Sequence, residues 1–113
     1  MPSPSEPRDW RLQLHDAISD LTNRLAEQLT FYRWAGRREP ATHEAIMEIS
    51  KLIDLAKQLE EAEVDAFSGG NPGRLREIYM TLRETPVFRY RFVTPVVRSD
   101  LLRIRDILTK YVK

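Results

Sequence analysis

The side chains that most often perform catalysis or bind metal ions are few in this sequence and form no recognisable motif. There is no cysteine, and neither His15 nor His43 has a glutamate three residues before it, so the Glu-x-x-His pair of di-iron bundles is missing. No serine lies in a Gly-x-Ser-x-Gly turn, which would expose a nucleophile. We therefore expect no cofactor, no metal ion and no small-molecule substrate, and we expect the protein not to be an enzyme.

Two pairs of carboxylates are spaced four residues apart and could share a helical face: Asp16 with Asp20, and Glu44 with Glu48. Paired carboxylates can bind Mg²⁺. The same spacing is typical of the solvated side of an amphipathic helix, which is the interpretation that we adopt.

The one glycine-rich stretch, residues 67–73, precedes a predicted helix whose backbone N–H groups, with Arg74 and Arg76, could bind an anion. The stretch lacks the Lys-Ser/Thr of a phosphate-binding loop and follows a helix rather than a strand. An N-cap at Asn71 and a proline at the first helical position, Pro72, explain the same residues. An enzyme acting at this helix start remains a third hypothesis, and it would require a pocket.

Charge is divided unevenly along the chain although the net charge is +1. Residues 39–71 carry eight acidic side chains against two lysines, whereas residues 72–113 carry eight arginines and two lysines against four acids. We expect the acidic second helix to lie beside the basic C-terminal helices. The alternative is that the C-terminal third binds nucleic acid, because arginines beside aromatic rings can contact phosphates and stack on bases. The residues proposed for that alternative are Arg74, Arg76, Arg89, Arg91, Arg98, Arg103 and Arg105.

The elements that must position these side chains begin with two long amphipathic helices, at about 9–36 and 41–66. Apolar residues recur at steps of three and four in both, which predicts an antiparallel helical hairpin. The first stripe contains Leu14, Ile18, Leu21, Leu25 and Tyr32, with Gln28 in one position. The second contains Ile49, Leu52, Ala56 and Leu59, widened by Ile46, Ile53 and Leu55.

Shorter helices follow at 72–84 and 95–112, predicted to pack on the hairpin as a small all-α bundle. Leu75, Ile78, Tyr79 and Leu82 form the apolar face of the first, and Val97, Leu101, Ile104, Leu108 and Tyr111 that of the second. Between them, residues 86–92 fit either a short helix, which we favour, or an edge strand in which aromatic and basic residues alternate. The domain spans 9–113, and residues 1–8 are expected to form a flexible tail.

The C-terminal end of the first helix is apolar on nearly every side, because Leu29, Phe31, Tyr32, Trp34 and Ala35 follow one another closely. Phe31 and Trp34 lie off the stripe that faces the second helix. The C-terminal helices of the same chain are their expected cover, and another protein chain is the alternative.

The leading functional hypothesis is a helical protein-interaction or assembly module, either a homodimer or a small subunit of a larger complex. The predicted partner-binding residues are Phe31, Trp34, Arg37, Arg38, Phe88, Tyr90 and Phe92. No apolar run is longer than three residues, and the first ten residues carry three prolines without an apolar segment. We therefore expect neither a membrane span nor a secretory signal, and a cytoplasmic protein.

Overall fold

The computed structural model describes residues 7–35, 40–84 and 90–111, and within these ranges it contains four α-helices and no strand. Helix α1 spans Pro7–Ala35, α2 spans Pro40–Phe67, α3 spans Gly73–Glu84 and α4 spans Pro95–Tyr111. The predicted all-α bundle is confirmed. None of the helices in these ranges is long and apolar enough to cross a membrane.

Helices α1 and α2 form the antiparallel hairpin that their stripes predict. His15, early in α1, contacts Glu63, late in α2, and the Thr22 hydroxyl donates a hydrogen bond to Glu60 at 3.0 Å. Eight aliphatic positions of the two predicted stripes are buried between the helices: Leu14, Ile18, Leu21, Leu25, Ile49, Leu52, Ala56 and Leu59. The residues predicted to widen the second stripe, Ile46, Ile53 and Leu55, are only partly buried. Three alanines outside the predicted stripes, Ala17, Ala45 and Ala62, are also buried. Burial of both apolar faces is the main contribution to the stability of the hairpin, because neither helix alone could remove its apolar side chains from water.

Helix α3 packs on α2 and α4, and α4 packs on α1 and α3. All four predicted core residues of α3 are buried, as are Val97, Leu101, Ile104 and Leu108 of α4. Tyr111, the last predicted core residue, is half-exposed and stacks on the ring of Trp10 at 4.9 Å. This contact fixes the end of α4 at the beginning of α1, so the two helices are antiparallel.

The N-cap predicted at Asn71 is confirmed, and Thr94 caps α4 in a similar way. The Asn71 side-chain oxygen accepts a hydrogen bond from the backbone N–H of Gly73 at 3.1 Å, and the Thr94 hydroxyl accepts one from Val97 at 3.3 Å. Before Asn71 the chain turns at Gly70, whose φ of +67° favours glycine. These local contacts explain why α3 and α4 begin where the sequence predicts.

The predicted short helix at 86–92 is wrong over its described part. Residues 90–93 are neither helical nor extended in a sheet, and residues 85–89 lie outside the described ranges. The backbone N–H groups of Arg91 and Phe92 donate to the Glu48 carboxylate at 2.8 and 2.7 Å. In a helix these two N–H groups would donate to carbonyl groups of the same segment. Here they donate to the Glu48 side chain of α2 instead.

The predicted attraction between the acidic α2 and the basic C-terminal helices holds for α3 but not for α4. Arg74 of α3 pairs with Glu61 at 2.9 Å and with Asp65 at 3.2 Å. The inter-helix ion pairs described for α4 are made instead with α1, because α4 lies along that helix.

Candidate protein-interaction surface

One side of α1 is covered by α4 over only part of its length. Asp20, Arg24, Glu27, Phe31 and Trp34 follow at alternating steps of four and three, so they lie on one side of α1. Asp20 contacts Arg103 of α4 at 3.7 Å, and Arg24 donates to both carboxylate oxygens of Asp100 at 2.5 and 2.6 Å. This side of α1 is therefore the side on which α4 packs.

The covering helix ends before the apolar end of that face. Helix α1 has 29 residues and α4 has 17. Since α4 runs antiparallel and begins at Pro95, its first turn reaches only as far as the groove that contains Gln28 and Phe31 of α1. The last turn of α1 extends beyond it.

Phe31 and Trp34 are consequently exposed, at 59% and 84% of their possible surface. Trp34 is the most exposed of the large apolar side chains among the described residues. The Phe31 ring meets Tyr32 edge to face at 5.5 Å, which leaves its outer face uncovered. The expectation that the C-terminal helices cover these two residues is wrong for the part of the chain that the structure describes, because α4 is too short to reach Trp34.

A groove of about 510 Å³ lies beside these aromatic residues. Its walls come from α1 and from the start of α4, where Val96 is 49% exposed. The residues that line it are Arg24, Glu27, Gln28, Phe31, Tyr32, Thr94 and Val96. We call the groove together with Trp34 the aromatic end. A groove of this size falls within the range of about 300–1,000 Å³ that is usual for binding clefts.

Some polar groups in and around the groove have hydrogen-bond or ion-pair partners, and others have none within the described residues. The Arg24 guanidinium is neutralised by Asp100, and the hydrogen bond between them raises the pKa of Arg24. The Gln28 side-chain oxygen Oε1 is buried and has no hydrogen-bond partner among the described residues. Glu27 and Arg33 are exposed, and neither forms an ion pair within the described ranges. A partner at this surface would therefore meet two exposed charges that have no ion pair within the described ranges.

The wall that Thr94 and Val96 provide is held in place by Glu48. Besides its two bonds to the backbone of residues 91 and 92, the Glu48 charge acts on Tyr90. Burial, and secondarily this charge, raises the pKa of the Tyr90 hydroxyl. The Arg98 side chain donates to the Tyr90 carbonyl at 3.4 Å. The segment leading into α4 is thus anchored to α2 by hydrogen bonds that sequence periodicity does not reveal.

The structure brings only some of the predicted partner-binding residues together. Phe31 lines the groove and Trp34 lies one turn further along α1, whereas Tyr90 and Phe92 are partly buried within the chain. Arg37, Arg38 and Phe88 lie outside the described residues. Sequence reasoning missed Glu27, Gln28, Thr94 and Val96. Only helical spacing, which places Glu27 four residues before Phe31 on the same side of α1, could have pointed to one of them.

The arginines proposed for nucleic-acid binding are mostly engaged within the chain. Arg74 pairs with two carboxylates of α2, Arg103 with Asp20, and Arg98 with a backbone carbonyl. Arg91 lies over the Phe92 ring at 5.8 Å, and Arg105 is partly buried. Arg76 is exposed beside a smaller groove, and Arg89 lies outside the described residues.

That smaller groove, of about 350 Å³, lies at the opposite end of the bundle, next to the start of α3. Its aromatic rings are used within the chain: Trp10 packs on Tyr111 and, edge to face at 5.2 Å, on Phe67. The Arg11 guanidinium lies 4.8 Å from the centre of the Phe67 ring. These mutual contacts distinguish it from the aromatic end, where Trp34 is left exposed.

The other candidate chemical groups have structural contacts. His15 hydrogen-bonds Glu63 at 3.0 Å, which raises the pKa of His15. Asp20 and Glu48, one member of each predicted carboxylate pair, contact Arg103 and the backbone before α4 respectively. The described residues contain no group of three or more side chains placed to hold a metal ion.

Comparison of the chain with protein-family models, with curated proteins and with solved structures finds no match.

Proposed function

We propose that this chain is a protein-interaction module that binds another polypeptide at the aromatic end. The observation that carries the proposal is the 84% exposure of Trp34 beside the groove lined by Phe31 and Val96. Tryptophan is enriched among the residues that contribute most to protein–protein affinity, particularly where it faces an apolar pocket. Scattered aliphatic side chains are usual on a protein surface, but an adjacent Phe and Trp bordering a groove are not.

The energetic benefit of covering these two rings is substantial. An aromatic side chain of this kind removes about 150–250 Å² from water when it is buried. Since 59% of the Phe31 surface and 84% of the Trp34 surface remain to be covered, at about 25 cal/mol per Å² the two side chains contribute roughly 2–4 and 3–5 kcal/mol respectively, before the entropy lost on association is subtracted. Two such anchors support binding, whereas neither stabilises the isolated chain while exposed.

Nucleic-acid binding has less support. Arg74, Arg98 and Arg103 already donate to groups of their own chain, so using them for phosphate contacts would require breaking those interactions. The exposed arginine Arg33 adjoins an apolar surface, an arrangement that is more typical of protein interfaces.

A site-specific photocrosslinker tests the proposal in cells that express the full chain. The photoreactive residue p-benzoylphenylalanine would replace Phe31 or Trp34 and, as matched controls, Leu12 or Val64, which are 62% and 59% exposed. We expect discrete adducts, visible as a mass shift on a denaturing gel, from the first pair and not from the second. Absence of adducts at positions 31 and 34, or equal adducts at all four positions, would refute a docking surface here.

A further inference from the structure

We infer that the polypeptide bound at the aromatic end is a second copy of this chain, in a two-fold symmetric dimer in which each Trp34 enters the groove of the other copy. This inference rests on the proposed function and names the partner of the same surface. In such an interface one patch must be complementary to itself, because every contact occurs twice. A protruding ring and a groove that can receive it must therefore be neighbours on one surface.

The aromatic end meets that requirement. Trp34 is not among the residues that line the groove, and it lies one helical turn from Phe31, which does line it. The groove walls present Phe31, Tyr32 and Val96, three apolar surfaces suited to an indole ring. Each copy thus has one protruding indole ring and one groove, and in the dimer both grooves are occupied by the ring of the other copy.

Charge complementarity favours the same occupant. Glu27 lines the groove, whereas Arg33 immediately precedes the ring that would enter it. Both side chains are exposed, and neither forms an ion pair within the described residues. When Trp34 of one copy enters the groove of the other, Arg33 is carried towards the other copy's Glu27, and symmetry repeats the pair. Exposed pairs of this kind contribute little individually but select the correct orientation.

The dimer is expected to be weak. The exposed surface of two Phe31 and two Trp34 side chains amounts to about 430–720 Å² in total, less than the roughly 1,200 Å² of a stable interface. We therefore expect a dissociation constant in the micromolar range or weaker, so the test must span protein concentrations from about 1 to 500 µM.

Sedimentation equilibrium of the purified full chain is the primary experiment. We expect the mean mass to rise from 13.3 kDa towards twice that value with concentration. Trp34→Ala should weaken association at least tenfold, whereas Val64→Ala, the matched exposed control, should leave it unchanged. A wild-type chain that stays monomeric over the whole range would overturn the inference, as would equal dimerisation of Trp34→Ala.

Charge exchange tests the reciprocal geometry at exposed positions, where folding is not at risk. Glu27→Arg and Arg33→Glu should each weaken self-association roughly three- to tenfold, because each places like charges together twice. Combining both substitutions in one chain should restore it. An equimolar mixture of the two single variants should form a mixed dimer, since each of its two reciprocal contacts between positions 27 and 33 then joins opposite charges. Failure of both the double variant and the mixture to recover association would contradict this arrangement.

Fluorescence reports on the inserted ring directly. In a Trp10→Phe variant, Trp34 is the only tryptophan, and we expect its emission to shift to the blue as concentration rises. An emission that is already blue-shifted and independent of concentration would mean that the ring is covered within its own chain. The crosslinking experiment separates the two proposals. Adducts from position 34 whose mass is not twice that of the chain would support an interaction module while excluding the second copy.

Discussion

Arg24 of α1 and Asp100 of α4 form a hydrogen-bonded ion pair in which the carboxylate is the buried partner. The Arg24 nitrogen Nη1 lies 2.5 and 2.6 Å from the two carboxylate oxygens. The Asp100 side chain is 7% exposed, whereas that of Arg24 is 39% exposed. The pair therefore links α4 to α1, and it lies next to the groove of the aromatic end.

The unequal burial predicts unequal effects of removing either partner. Arg24→Met leaves a buried carboxylate without its donor, and an unpaired buried acceptor costs roughly 1–3 kcal/mol. Asp100→Leu leaves a guanidinium that water can reach, so we expect a smaller loss in the free energy of unfolding. The double variant should recover most of the stability, because an apolar pair of similar volume is often no worse than a buried ion pair. Urea denaturation of the four proteins measures all three differences, and equal losses from the two single variants would contradict the assignment.

Glu48 should control the order of the segment that leads into α4. Glu48→Ala removes the acceptor of two backbone donors, those of Arg91 and Phe92, and we expect a loss of roughly 1–3 kcal/mol. Hydrogen exchange at these two amides should accelerate, while exchange within the α1–α2 hairpin changes less. Glu44→Ala, one turn earlier on α2 and exposed, is the matched control. Unchanged protection at residues 91 and 92 in Glu48→Ala would show that other groups hold the segment.

The His15–Glu63 pair predicts a pH-dependent contribution to stability. The hydrogen bond to Glu63 raises the pKa of His15 above the unfolded value of 6.5, so the folded state binds the proton more tightly. The stabilisation is therefore fully present below pH 6.5 and is lost as the pH rises through the folded-state pKa. Because the His15 side chain is 63% exposed, its magnitude should be below about 1 kcal/mol.

Thermal unfolding of His15→Gln at about pH 5.5 and about pH 8.5, on either side of the titration, measures this contribution. We expect the variant to be less stable than the unmodified chain at the lower pH and equal to it at the higher one. In a Glu63→Gln background the substitution should have no pH-dependent effect. A difference that persists in that background would assign the effect to another group.

Gln28→Leu should stabilise the monomer. The substitution removes a buried oxygen that lacks a hydrogen-bond partner in the described part of the chain, for an expected gain of about 1 kcal/mol in the free energy of unfolding. Gln58→Leu, at an exposed position of α2, is the control and should change stability little. Denaturation at low micromolar concentration keeps self-association out of the measurement. A loss of stability in Gln28→Leu would mean that the amide makes hydrogen bonds in solution.

Much of the fold follows from local sequence. The steps of three and four in Leu14–Leu25 and Ile49–Leu59 define a buried face on each helix, and they do so without knowledge of the partner. The caps at Asn71 and Thr94 are equally local, because each side chain reaches a backbone N–H two or three residues away. Helix bounds and most core residues could therefore be predicted.

The candidate site could be predicted only in part. Phe31 and Trp34 could be identified because they lie off the stripe that faces α2, and this deduction needs only helical geometry. Whether α4 covers them depends on which helix α4 packs against, in which direction, and where along α1 its first turn falls. The packing partner, the direction and the position of α4 along α1 cannot be predicted from the sequence of any single segment.

The sequence alone determined four amphipathic helices, their caps and the positions that must be buried, because hydrogen bonding and periodicity act over a few residues. Tertiary structure decided that Asp100 is buried against Arg24, that Glu48 binds the segment before α4, and that Trp34 is exposed. The first two of these outcomes depend on contacts between residues more than forty positions apart. The third follows from the packing of helices of unequal length, which leaves the end of the longest one uncovered.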